Sequence, residues 1–127
     1  MNKEKQDILN QLEEYKLLKP EWYNSNTIKP TINNITSIIS IINTIPENYN
    51  YPKLMISGPN SQIGLYYDIP ANLYIDIELE ENNTISIFKK NYITNKQTYI
   101  DNIKIDDLTI DWYKDNLPEL SKDILII

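Results

Sequence analysis

Apolar residues recur at helical spacing near both ends of this chain and at every second position through its middle. Ile8, Leu12 and Tyr15 fall at i, i+4 and i+7, with Leu9 beside them and Glu13, Glu14 and Lys16 outside the stripe. This predicts an amphipathic helix over residues 3–19. Pro20 ends it, because a proline pushes the residue before it out of helical backbone. After the linker EWYNSNTIKP, where Trp22 is read as an anchor onto the body, Ile32, Ile35, Ile38, Ile39, Ile42 and Ile45 repeat every three or four positions. They predict a second helix with Thr31 as its N-cap and Pro46 as its stop. Isoleucine is a mediocre helix former, so the assignment rests on periodicity rather than propensity.

From Pro52 the period changes to two. Leu54 and Ile56 form a first apolar set, and Ile63, Leu65 and Tyr67 follow the GPNS turn. Leu73, Ile75, Ile77 and Leu79 come next, and Ile85 and Ile87 complete the pattern. Residues paired across an antiparallel hairpin share a face, so joining Leu79 to Ile85 and Tyr67 to Leu73 requires odd loop lengths. A three-residue loop at Glu81-Asn82-Asn83, with Asn83 left-handed, meets the first condition, and residues 69–71 meet the second. Residues 92–103 read either as a fifth strand or as an extended connection. Ile110, Tyr113, Leu117, Leu120 and Ile124 then return to helical spacing, predicting a helix from about Asp106 to Asn116 before Pro118 interrupts it.

The fold class expected is α+β, in one domain over residues 1–127. Two N-terminal helices (1–46) pack on a four- to five-stranded antiparallel meander (52–90), and a C-terminal helical segment (105–125) follows. At 127 residues a self-sufficient core is attainable.

Composition removes whole classes of chemistry. The chain has no Cys, His, Arg or Val, but 24 Ile and 17 Asn. A thiol nucleophile, a disulfide framework, an imidazole base, a Ser-His-Asp triad and an arginine finger are therefore excluded. Enzymes built from carboxylates, Lys, Tyr, Ser and Thr remain formally open, but no catalytic residue, metal ligand or cofactor is assigned. Ser57 and Ser61 have no base beside them, and GPNS is a turn rather than a phosphate loop. The net charge of −6 and the absence of Arg argue against direct nucleic-acid binding, which draws on Lys and Arg neutralising phosphates. Codon bias toward Ile, Asn, Lys and Tyr accounts for much of the composition and reduces the weight of the missing Arg. The N-terminus has no signal-peptide core, and the most apolar stretch, 35–45, is far shorter than the ~20 residues of a spanning helix. A cytoplasmic protein without membrane association is the expectation.

The charge is local. Residues 1–57 are balanced, while 58–85 carry five acids and no Lys; 86–100 are net positive and 101–127 net negative. Asp76, Glu78 and Glu80 lie at i, i+2 and i+4, roughly 6–7 Å apart on the outward face of one strand. The register puts Asp76 opposite Phe88 and Tyr74 opposite Lys90, so Tyr66, Tyr74 and Phe88 share that face. The bland alternative is an exposed sheet face that is polar because it is wet. A metal or glycosidase pair is disfavoured, since an open face offers nothing to exclude water or raise a carboxyl pKa. Asp107, Asp111 and Asp115 form a second stripe at i, i+4 and i+8 with Trp112 beside it. This is either a solvated face or a dock for a basic surface in the manner of a nucleic-acid mimic. Lys89-Lys90 reads as an edge-protecting pair.

The order of EWYNSNTIKP, YPKLMIS and QIGLYYDIPANLYIDIEL resembles a family of small uncharacterised bacterial and mobile-element proteins. Their pattern runs W-D-G-x-G-A, then p-d-G-G, then i-x-l-e-W and l-x-i-e-i, and the likeness covers roughly residues 5–90. Trp22 matches. Tyr23-Asn24 replaces the family's Asp-Gly, Ser61-Gln62 its paired Gly, and Tyr67 its Trp; Asn can serve Gly's turn geometry. The resemblance implies a compact α+β module and no activity. Together these features lead us to expect a non-enzymatic acidic protein that binds a protein partner bearing a basic surface. The concrete version is an inhibitor carried by a phage or mobile element, of anti-defence, anti-CRISPR or antitoxin type. A carboxylate-based metal-dependent hydrolase and a structural or homo-oligomeric subunit are the rivals.

Overall fold

The computed structural model describes residues 2–58 and 60–123. Among them the chain forms α1 (Lys3–Lys16), α2 (Ile32–Thr44), β1 (Lys53–Ser57), β2 (Gln62–Ile69), β3 (Leu73–Leu79), β4 (Thr84–Asn91), β5 (Gln97–Lys104) and α3 (Ile110–Asn116). Short 3₁₀ turns occupy Glu81–Asn83, Ile105–Asp107 and Pro118–Leu120. The architecture is α+β, with the strands in sequential antiparallel order β1-β2-β3-β4-β5. The stretch left open between strand and connection therefore contains a fifth strand, following a turn at residues 92–96.

Side-chain caps decide where the helices begin. Asn2 Oδ1 accepts from Lys5 N at the start of α1, and Thr31 Oγ1 accepts from Asn34 N at the start of α2, each satisfying an otherwise unpaired amide. α1 closes at Lys16, a turn earlier than the pattern suggested, because Leu17 N bonds back to Glu14 O as a C-cap. α2 turns Ile35, Ile38, Ile41 and Ile42 fully inward, whereas Ile32, counted in the apolar stripe, is 72% exposed in its first turn. Removing any of the four inward isoleucines to Ala would cost about 2–5 kcal/mol.

α2 packs on β2 and β3, so one face of the sheet is covered by helices. Ile63, Leu65, Ile75, Ile77, Ile85 and Ile87 line that face, all buried. Leu79 pairs with Ile85, as the parity argument requires, with Asn82 and Asn83 both left-handed in the turn. The β2–β3 hairpin is two residues tighter than expected: Ile69 pairs with Leu73 and Tyr67 with Ile75. The turn residues are Pro70, Ala71 and Asn72, and the facing pattern survives because the shift is even.

Four expectations change, three of them C-terminal. α3 begins at Ile110, because Thr109 Oγ1 caps Trp112 N, and the preceding residues close a 3₁₀ turn instead. Asp107 therefore lies outside the helix, and the stripe Asp107, Asp111, Asp115 does not exist as a single helical face. Ile110, assigned to the apolar stripe, is 58% exposed; Tyr113, Leu117 and Leu120 carry the packing. Ile124 lies outside the described residues. Lys89 is not an edge device, because β4 is an interior strand. It sits on the inward set beyond Ile87 and reaches Glu119 Oε1 at 2.9 Å.

Candidate protein-binding face

All three helices lie on one side of the sheet: α2 packs on β2 and β3, α1 packs on α2, and Tyr113 of α3 meets Thr44 and Tyr49. The other face is left to side chains alone. Register places Lys53, Tyr66, Asp76, Phe88 and Tyr99 in one row across the five strands. The next row holds Asp68, Tyr74, Lys90 and Gln97. Tyr66, Tyr74, Asp76 and Phe88 are thus neighbours, as the sequence pattern anticipated. Glu78 lies two residues along β3, and Glu80 stands just beyond the strand, where Oε1 accepts from the buried Ser86 Oγ at 2.9 Å.

This face is drier than an open sheet surface should be. Tyr66, Tyr74, Asp76 and Phe88 are all half-buried. Asp76 Oδ1 is buried and has no hydrogen-bond partner among the described residues. Burial pushes the Asp76 carboxyl above its ordinary range, partly offset by a side-chain hydrogen bond with Glu78. Glu78 is also raised, first by burial and then by repulsion from Asp76 and Glu80. The buried Oδ1 of Asp76 is the geometric counterpart of that upward direction, whereas Glu78 is exposed. Tyr74 is shifted upward by burial and by Asp76.

Two features escaped the sequence pattern. Tyr99, 64% exposed, extends the aromatic row onto β5, which the sequence left unassigned. Lys53, Lys90 and Lys104 border the face together with Asp68 and Glu80, giving a rim of mixed charge. Lys90 Nζ stands 5.9 Å from the Tyr92 ring centroid, a cation–π arrangement.

The second candidate is not joined to the first. Asp107, Asp111 and Asp115 are exposed on the helical side, with Trp112 half-buried and edge-on to Tyr113 at 5.2 Å. Among the described residues no group of three or more carboxylates converges in a way that could hold a metal ion. None of the described helices is long and apolar enough to cross a membrane. Compared with protein-family models, curated proteins and solved structures, the chain finds no match in any of the three.

Proposed function

We propose that the uncovered sheet face is a protein-binding surface and that the chain is a non-enzymatic inhibitor, working in the cytoplasm on a basic surface of a nucleic-acid-handling enzyme. The observation that carries this reading is the unpaired, buried Asp76 Oδ1 set between Tyr66 and Phe88. A carboxylate oxygen left without a donor is costly, and a Lys or Arg from a partner would remove that cost while the aromatics bury area around it. Interface centres are enriched in aromatic residues and depleted in Asp, so an Asp76 set among Tyr66, Tyr74 and Phe88 calls for a partner's cation to pair with it. The outlying Glu78 and Glu80 would steer a basic partner toward it. The resemblance to mobile-element proteins favours the anti-defence, anti-CRISPR or antitoxin version of such an inhibitor.

The test is affinity capture from the native host followed by mass spectrometry, with wild type set against Asp76→Lys/Glu78→Lys/Glu80→Lys. A nucleic-acid-handling enzyme recovered by wild type and lost by the folded variant supports the reading; equal recovery overturns it. Asp111→Lys/Asp115→Lys serves as the comparison and should retain the partner.

A further inference from the structure

Two adjoining hollows open at the end of the sheet away from the Glu81–Asn83 turn, and their shared Leu73 belongs to the buried, helix-side set of β3, opposite the face that carries Asp76. One, of about 220 Å³, is walled by Ile69, Leu73, Ile93 and Pro118. The other, of about 160 Å³, is walled by Lys89, Thr94, Lys96 and Thr98. Leu73, Asn91 and Glu119 belong to both. Together they reach the lower end of ligand-pocket volumes, roughly 300 Å³, which restricts an occupant to a small molecule.

We propose that this joined pocket binds a free α-amino acid with a large apolar side chain, such as leucine or phenylalanine. The apolar hollow takes the side chain. Ile93 is 74% exposed on its rim, an apolar surface that the core does not use and that a ligand would cover. The polar hollow takes the zwitterionic head. Glu119 Oε1 is held by Lys89 Nζ at 2.9 Å, but Glu119 Oε2 is buried and without a donor among the described residues. A ligand ammonium supplies that donor once the carboxylate turns its covered Oε2 toward the hollow. Lys96 has no ion-pair partner among the described residues and lines the same hollow, where it meets the ligand carboxylate.

The walls are built before any ligand arrives. Asn91 Oδ1 accepts from both Ile93 N and Thr94 N, and Thr94 Oγ1 accepts from Lys96 N. Tyr92 N bonds to Asn72 O, tying the β4–β5 turn to the β2–β3 turn. Little ordering entropy is then lost on binding. The site is independent of the sheet-face reading.

The experiment titrates the ¹⁵N-labelled chain with L-leucine, L-phenylalanine and glycine to millimolar concentrations. Saturable shifts of the Leu73, Ile93, Thr94 and Lys96 amides with leucine or phenylalanine, but not with glycine, support the proposal. N-acetyl-leucine lacks the ammonium and leucinamide the carboxylate; each should bind about tenfold more weakly, the loss expected for one charge-assisted hydrogen bond. Glu119→Gln should do the same, and Ile93→Ser, at an exposed position, gives a folded second variant that also loses leucine. Absent saturable shifts, equal binding of N-acetyl-leucine, or full binding by Ile93→Ser would each overturn it.

Discussion

Trp22 Nε1 donates a 2.7 Å hydrogen bond to Ser61 Oγ, joining the α1–α2 connection to the β1–β2 turn. Ser61 is fully buried and in turn donates to Ile28 O, so one hydroxyl closes both ends of a non-local clasp. Without a base beside it Ser61 looked inert, and its part is structural. Ser61→Ala leaves the indole N–H and the Ile28 carbonyl without their partner, at a cost of about 1–3 kcal/mol. Urea denaturation measures this directly. A loss below about 0.5 kcal/mol, the scatter of neutral surface substitutions, would mean that the clasp is not needed.

Ala71 offers a gain. It sits at φ 65 in the Pro70-Ala71-Asn72 turn, where Asn72 N bonds to Ile69 O. Left-handed backbone brings a Cβ too close to the following carbonyl, a strain that glycine does not have. Ala71→Gly should therefore stabilise by about 0.5–1 kcal/mol, the strain relieved exceeding the extra unfolded-state entropy. A lower melting temperature for the variant would refute this.

The meander could be read from sequence because alternation and hairpin parity constrain each other: once Leu79 faces Ile85, every facing on β3 and β4 follows. The tighter β2–β3 turn was not legible, since a shift of two residues leaves the faces unchanged. Tyr99 was missed because β5 bends through a bulge opposite Ser86, with Asn102 left-handed, which interrupts its alternation. Asp107 was misplaced because a capping threonine, Thr109, outweighed a periodic pattern that ran through it. The drying of Asp76 is a property of neighbours on three strands and has no signature in the order of residues along one.

Two tyrosines define the alkaline limit. Tyr67 O–H donates to Asn50 O at 2.9 Å, and burial holds its pKa well above the ordinary 10.0. Thr44 gives its only hydroxyl proton to Ile41 O, so Tyr113 O–H donates to Thr44 Oγ1 at 2.6 Å. Burial pushes Tyr113 up to about 12. Both folded values exceed the unfolded one, so their stabilisation is complete below pH 10 and is lost above it, that of Tyr113 as pH rises through about 12. Tyrosinate absorbance should show these two groups ionising last and together with loss of the far-ultraviolet signal. Tyr113→Phe should cost about 1 kcal/mol at neutral pH and flatten the alkaline decline. A fully reversible titration of all tyrosines in the folded chain would contradict this.

The acid side tests the binding face itself. Asp76 and Glu78 have raised folded pKa values, from burial first in both cases. Such groups favour the fold when protonated, below their unfolded values of 3.8 and 4.5, and oppose it once pH has risen through the folded values. Glu4 runs the other way: its hydrogen bond with Lys122 lowers it, so its contribution is present above 4.5 and lost as pH falls. That opposing slope is common to wild type and variant and cancels in their difference. Asp76→Asn keeps the shape but removes the buried charge, so it should melt higher than wild type near neutral pH. The gap should close as pH falls below 3.8, where both side chains are neutral. The same variant should bind the partner more weakly, because the acceptor for its basic group has lost its charge. Melting curves across pH, read beside partner affinity, separate the possibilities. A variant less stable than wild type at neutral pH would show that the Asp76 charge is already compensated within the fold, and the case for a partner's cation at that position would fail.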